Sequence, residues 1–250
     1  MELGISGKLG LVTGCSRGIG RGIAEALAQE GVRLVLVARS TAALNELKSE
    51  LHNPEAHYAF PMDLMEADAP ERLADAVNQI GPLDILVNNL GGSGGVSDPF
   101  ASSEDWAKVW QFNLGIGINL NRAFIPGMVE RRWGRIVHLS TLATYNFKGN
   151  AAYASAKCAL NAYVKSVSRH VAKDNVIISA VAPGAVFIDG RHLAKLQKEN
   201  SPALQDYFKN NQTINRLAET SEVASVISFM CSEKASFMAG SIVGVDGAGM

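Results

Sequence analysis

Tyr153 and Lys157 stand four residues apart in the run Ala151-Ala152-Tyr153-Ala154-Ser155-Ala156-Lys157. On a helix, residues i and i+4 share a face, so phenol and ammonium point into one small volume. A free phenol, with a pKa near ~10, is a poor acid or base at neutral pH. A neighbouring ammonium favours the phenolate and lowers that pKa. The pair is therefore a device for giving a proton to a carbonyl oxygen. Taken alone it also fits a core aromatic beside a solvated charge, so its meaning depends on the rest of the chain.

A second chemical feature lies near the N-terminus. Thr13-Gly14-Cys15-Ser16-Arg17-Gly18-Ile19-Gly20 joins an apolar run to an amphipathic one, with the spacing G-x3-G-x-G. Glycines permit a tight turn and close backbone approach. A helix N-terminus just beyond them presents free N–H groups and a positive dipole end to a pyrophosphate. An ordinary glycine-rich turn is the plain alternative, and the position directly between strand and helix favours phosphate binding. The next apolar run ends Val37-Ala38-Arg39-Ser40, with no acid between Leu34 and Ser40. NAD sites commonly place an acid here for the ribose hydroxyls, whereas an arginine suits the 2′-phosphate of NADP. Arg17 adds a second cation nearby, so NADP(H) is the expected cofactor.

The elements that must position these groups follow from hydrophobic pattern. Short apolar runs at 9–12, 34–37, 58–61, 83–87, 134–139, 176–181 and 241–245 read as strands. Helical patterns at 18–30, 42–51, 69–80, 106–131 (one helix or two), 151–171 and 221–230 alternate with them. Strand–helix alternation with near-continuous Val, Ile and Leu strands predicts an α/β fold. The expected architecture is a single-domain Rossmann-type doubly wound parallel sheet with helices on both faces, spanning residues 1–250. A cofactor half covers about 1–110 and a catalytic half about 111–250, and ligands bind beyond the carboxyl ends of the strands.

Composition narrows the function. Hydrophobic residues make up 47% and charged residues 19% of 250, which is ordinary for a globular chain. A formal net charge of -1 gives no support for a nucleic-acid or anionic-membrane surface. Cys15, Cys158 and Cys231 are odd in number and far apart, which predicts neither disulfides nor a metal cluster. No signal peptide pattern and no apolar run of membrane-spanning length is present, so a cytoplasmic setting is expected.

With these motifs in this order, the chain resembles the short-chain dehydrogenase/reductase family over essentially its whole length, and in particular its 3-oxoacyl-[acyl-carrier-protein] reductase-like members. By that resemblance Gly14, Ser16, Arg17, Gly18, Ile19 and Gly20 contact the cofactor, as does Arg39. Asp63, followed by Leu64, matches the family's adenine-contacting acid. Asn88-Asn89-Leu90-Gly91 matches its N-N-A-G motif with Leu90 for Ala, which assigns Asn89 and Gly91 to the cofactor. Pro183-Gly184 and Val186 follow the sixth strand as in the family. Asn113, Ser140, Tyr153 and Lys157 match its catalytic tetrad. Tyr153 then protonates the substrate oxygen as hydride reaches carbon, and Lys157 lowers the Tyr153 pKa and holds the nicotinamide ribose. Ser140 bonds the substrate oxygen, with Thr141 as its neighbouring candidate, and Asn113 holds a water linking the lysine to a proton relay. No metal is implied. A homotetramer is implied, and a dimer is not excluded by the sequence.

Three features stand outside that pattern. His138, two residues before Ser140, could face the site as an acid or base, and packing within the fold is its expected role. Ile188 stands where the family commonly has a threonine that bonds the nicotinamide carboxamide, leaving backbone groups near Val186 and Ile188 to hold it. The segment 189–215 is the least regular, and the resemblance makes it a mobile helical lid. Its leucines and aromatics predict a pocket with one largely apolar wall. The expected function is NADPH-dependent interconversion of a ketone and a secondary alcohol, first of all on a 3-oxoacyl thioester. A sugar, polyketide or other secondary-metabolite carbonyl is the alternative substrate, and a non-catalytic NADP-binding sensor or scaffold is the alternative of a different class.

Overall fold

The computed structural model describes residues 1–249. Seven strands form one sheet: β1 (Leu9–Thr13), β2 (Arg33–Ala38), β3 (Tyr58–Pro61), β4 (Ile85–Asn88), β5 (Gly134–Leu139), β6 (Val176–Pro183) and β7 (Ile242–Val245). They lie in the order β3-β2-β1-β4-β5-β6-β7, with every neighbouring pair parallel. The chain builds outward from β1 in one direction, then returns to β4 and builds in the other. That reversal opens a crevice between the carboxyl ends of β1 and β4, where α/β sheets bind ligands.

Parallel strands need crossovers, and the helices supply them. They are α1 (Gly18–Gln29), α2 (Thr41–Glu50), α3 (Ala69–Ile80), α4 (Ser103–Trp110), α5 (Ile116–Glu130), α6 (Ala143–Asn146), α7 (Ala151–Val171), α8 (His192–Lys198), α9 (Pro202–Asn211) and α10 (Thr220–Met230). The two-residue period of each strand divides its side chains between two cores. Leu34 and Leu36 of β2 pack on one face with Ile23 and Leu27 of α1 and Ile227 of α10. Val35 and Val37 of the same strand pack on the other face with Leu73 of α3, Leu120 of α5 and Leu160 of α7. Both faces of the sheet are covered, which is why the strands read as apolar runs without alternation. Among the described residues, no helix is long and apolar enough to cross a membrane.

Two segments show detail that the sequence pattern left open. The pattern at 106–131 is two helices joined by a π-helical turn, Gln111–Gly115. Asn113 sits in that turn with its amide Nδ2 donating to Val109 O at 2.8 Å. A wider turn of this kind accommodates one extra residue and re-aims a side chain. The segment 189–215 is not irregular, since it contains α8 and α9. Its apolar residues form a third, small core in which Leu204 and Phe208, four apart on α9, meet Ala185 and Leu217.

This small core is separate from the two that stabilise the sheet. Phe208→Ala should therefore loosen α9 by about 3 kcal/mol of local stability. Hydrogen exchange should accelerate across Pro202–Asn211 while amides of β1, β4 and β5 keep their protection. Equal acceleration in the sheet would show that the two cores are coupled.

Candidate active site

The glycine turn is shaped by what cannot fit there. Gly14 has φ 65 and Gly18 φ 58, in the left-handed region that glycine enters without strain. A Cβ on Gly20 would lie 2.4 Å from Gly14 O, so only glycine lets α1 start this close to β1. Arg17, at the N-cap of α1, makes no capping bond, and the first turn holds no acid. The open N–H groups and the dipole end face the crevice. Arg39 is exposed just past β2, with Nη1 4.0 Å from Asp63 Oδ2. Asp63 also accepts from Met65 N at 3.0 Å. Ser16 is half-buried in the turn, and Ile19 packs against the core below it.

Some residues matched to the cofactor have structural duties. Asn89 Nδ2 donates to Thr13 O (2.9 Å) and Gly14 O (3.1 Å), clamping β4 to the glycine turn. The Leu64 side chain is buried in the core, so only its backbone can meet a ligand. Pro183 and Gly184 line the cavity beside Tyr153. Val186 makes a single parallel bridge with Ala218, formed by the backbone of Ala185 and Phe187, which leaves the Val186 peptide groups outside it. Ile188 leans on the glycine turn, where a Cβ on Gly18 would come within 3.2 Å of its Cγ2.

Tyr153 and Lys157 lie on α7, opposite the end of β5. Lys157 is buried, and its ammonium donates to Leu139 O at 2.5 Å. Burial draws its pKa down from 10.5 to about 7. Gly91 is the neighbour that makes room: a Cβ there would lie 2.8 Å from both Lys157 Nζ and Asn113 Oδ1. Asn113 in turn holds the loop, accepting from Gly92 N (2.9 Å) and donating to Gly92 O (2.8 Å). The expected pull of Lys157 on Tyr153 is absent from this arrangement. Burial raises the Tyr153 pKa, a hydrogen bond with the Thr141 side chain partly opposes it, and the lysine contributes no resolved effect.

Ser140, buried at the end of β5, donates its hydroxyl to Asn161 Oδ1 at 2.7 Å. Asn161 Nδ2 donates to Thr144 Oγ1 at 3.0 Å, and that hydroxyl donates to Thr141 O at 2.9 Å. The chain of bonds orients the Asn161 amide and through it Ser140. Asn161 was not singled out from the sequence, although it lies four residues past Lys157 on the same face of α7. His138 does pack within the fold. Asn121 Nδ2 donates to its Nε2 at 3.0 Å, and burial followed by the charge of Lys157 pushes its pKa down to about 3. It stays neutral at any working pH and is no acid–base group.

A cavity of about 430 Å³ opens beside Tyr153. Thr141, Asn146, Lys148, Asn150, Tyr207 and Asn211 are among its walls. Of the segment 189–215, Tyr207 and Asn211 reach this cavity, while Leu204 and Phe208 turn inward to the third core. Among the described residues, no cluster of His, Cys, Asp or Glu could hold a metal ion.

Open amides over a glycine turn, an exposed arginine past β2 and a glycine-thin passage to Lys157 fit a dinucleotide. The whole chain has relatives. Residues 14–250 match the family model described as enoyl-(acyl carrier protein) reductase. The 3-oxoacyl-[acyl-carrier-protein] reductase of Aquifex aeolicus is 33% identical over 253 residues, covering 99% of each chain. This chain belongs to the short-chain dehydrogenase/reductase family. It is an oxidoreductase acting on CH–OH and C=O groups. Two solved structures show the breadth of the family. The L-sorbose reductase of Gluconobacter frateurii, complexed with NADPH and L-sorbose, superposes with a TM-score of 0.91 at 31% identity, covering 99% of this chain and 98% of that one. A 7α-hydroxysteroid dehydrogenase complexed with NADH and 7-oxo glycochenodeoxycholic acid has a TM-score of 0.89 at 28% identity, covering 100% and 96%.

The lowered pKa of Lys157 carries a sign. Between about 7 and 10.5 the unfolded chain holds a proton on this lysine that the folded chain has released. Stability therefore rises with pH across that window, by up to about 1.4 kcal/mol per pH unit from this one group. Lys157→Met should remove that rise. Urea melts of both proteins from pH 7 to 10 read it as a difference in slope, and parallel slopes would place the lysine's titration elsewhere.

Proposed function

We propose that this chain reduces small hydrophilic ketones to secondary alcohols with NADPH. The single observation that carries the substrate choice is the wall of the cavity beside Tyr153. It sets hydroxyls, amides and one ammonium, from Thr141, Asn146, Asn150, Asn211 and Lys148, among the apolar groups of Leu142, Ala143, Pro183 and Tyr207. The polar groups favour the sugar-like alternative, and the apolar ones keep the 3-oxoacyl thioester that stands first from the sequence as the second reading. The L-sorbose reductase, similar over nearly its full length, supports a hydrophilic substrate on this fold.

The chain's own groups suit the chemistry. The open N–H groups of α1 and the glycine turn hold a pyrophosphate, and Gly91 leaves Lys157 reachable from the crevice. Arg39, exposed past β2 and held only loosely by Asp63 at 4.0 Å, suits a 2′-phosphate, and β2 itself ends without an acid. When bound, the reduced nicotinamide supplies a hydride to the carbonyl carbon. Tyr153 gives its phenolic proton to the carbonyl oxygen, so the C=O double bond becomes C–H and O–H. Because Tyr153 starts protonated, with its pKa raised by burial, it is a donor in the state that meets the ketone. The tyrosinate left behind draws a new proton through the crevice, with Lys157 beside it as the group able to hold one near neutral pH. Ser140 donates its hydroxyl to Asn161 Oδ1 in this structure, and turning that proton to the carbonyl oxygen would steady the developing charge.

Tyr153→Phe should lower kcat for ketone reduction by about a thousandfold, within the range of a lost general acid. NADPH binding, followed by its fluorescence, should change little. Undiminished turnover would sink the mechanism, and a protein that binds NADPH but reduces no ketone in a broad panel would instead be a sensor. Arg39→Ala should weaken NADPH relative to NADH by about tenfold or more, the scale of a charge-assisted contact. Equal effects on both cofactors would overturn the assignment to NADP(H).

A further inference from the structure

Lys148 is the single ammonium on the wall of the cavity beside Tyr153, and no carboxylate faces it there. Its Nζ donates to Asn210 O at 2.9 Å and to Asn211 Oδ1 at 3.4 Å, at the end of α9. It forms no ion pair among the described residues, so its charge meets only the negative end of that short helix. An ammonium has three donors, and these two bonds leave one for the cavity. Lys148 is exposed, just past the C-cap of α6. Phe147 takes φ 54, unusual for a bulky residue, and Gly149 takes φ 121. Lys148 N is then tied to Asn146 Oδ1 at 3.0 Å. Backbone strain of this kind persists where the surroundings enforce it.

We infer that Lys148 is an anion subsite, and that the substrate is a hydroxylated ketone carrying a carboxylate or phosphate remote from its carbonyl. This rests on the ketone-reductase reading and narrows its substrate class. The amides of Asn146, Asn150 and Asn211 and the hydroxyl of Thr141 surround the same space. Each can donate to or accept from a substrate hydroxyl. The reaction itself is unchanged: hydride to carbon, proton to oxygen, and the anionic group untouched. A carboxylate and a phosphate would meet Lys148 through the same charge, and the choice between them is read by comparing the two.

The test is steady-state NADPH oxidation with three six-carbon probes: a 5-keto-aldonate, a ketohexose 6-phosphate and the neutral ketohexose. One anionic probe should exceed the neutral one in kcat/KM by about tenfold or more, through KM. Which of the two anions does so identifies the source. Lys148→Met should bring that ratio close to one, and Lys148→Arg should largely keep it. Binding of gluconate and of glucose 6-phosphate to the NADP-loaded protein, followed by calorimetry, reads the subsite without turnover. Lys148→Met should weaken the preferred anion by about tenfold. Equal kcat/KM for anionic and neutral probes, or an unchanged ratio in Lys148→Met, would overturn the inference while leaving ketone reduction intact. Lys148-dependent anion binding with no turnover of any ketone would overturn the reductase reading and leave the subsite standing.

Discussion

The site is organised around an ammonium taken out of water. Lys157 lies buried at the end of the sheet with one short bond to Leu139 O. A buried charge that is poorly solvated gives up its proton readily, and its pKa falls to about 7. Several features of the surrounding structure serve that position. β4 and β5 are neighbours, which brings the loop at Gly91 beside Leu139. Gly91 has no side chain, because a Cβ would collide with Lys157 and Asn113 together. The π-helical turn at 111–115 aims Asn113 at the same loop and pins Gly92 from both of its peptide groups. Without these, the lysine would reach solvent and behave as an ordinary surface charge.

A second constraint is the demand that buried polar groups find partners. The carboxyl ends of the central strands are crowded with amides and hydroxyls, and most are committed to one another. Asn89 holds β4 to the glycine turn. Asn88, Asn121, His138 and Tyr163 form a bonded cluster beneath Ser140. Asn161 and Thr144 fix the hydroxyl of Ser140. Such a floor leaves few groups free to face a ligand. Tyr153, bonded among the described residues only to the Thr141 side chain, and the open amides of α1 remain to face one. Rigidity here serves function because hydride transfer depends on holding donor and acceptor in one geometry.

Much of this was legible in the chain. Parallel strands covered on both faces must be apolar throughout, so a run such as Leu34-Val35-Leu36-Val37 announces itself, and the seven strands fall where pattern placed them. The glycine turn was legible because only glycine tolerates φ 65 at Gly14 and the close approach at Gly20. Tyr153 and Lys157 were legible because helix periodicity is local. What failed was everything that depended on which neighbour a side chain would choose. The leucines and aromatics of 189–215 read as a pocket wall, yet Leu204 and Phe208 found Ala185 and Leu217 instead. Asn161 carried no signal by itself, since its meaning lies in Ser140 across the fold. The direction of the Tyr153 pKa was not legible either, since burial raises it and the Thr141 side chain only partly opposes that.

The sequence by itself determined the order of strands and helices, the phosphate-binding turn, the cation past β2 and the pairing of a phenol with an amine on one helical face. These follow from backbone sterics and periodicity, which act over a few residues. Only the tertiary structure decided the burial of Lys157 and Tyr153, the hydroxyl direction of Ser140 and the lining of the cavity beside Tyr153. Those depend on packing and on partners many residues away, such as Leu139 for Lys157 and α9 for Lys148. Solvation is a property of the packed molecule, and no local stretch of chain contains it.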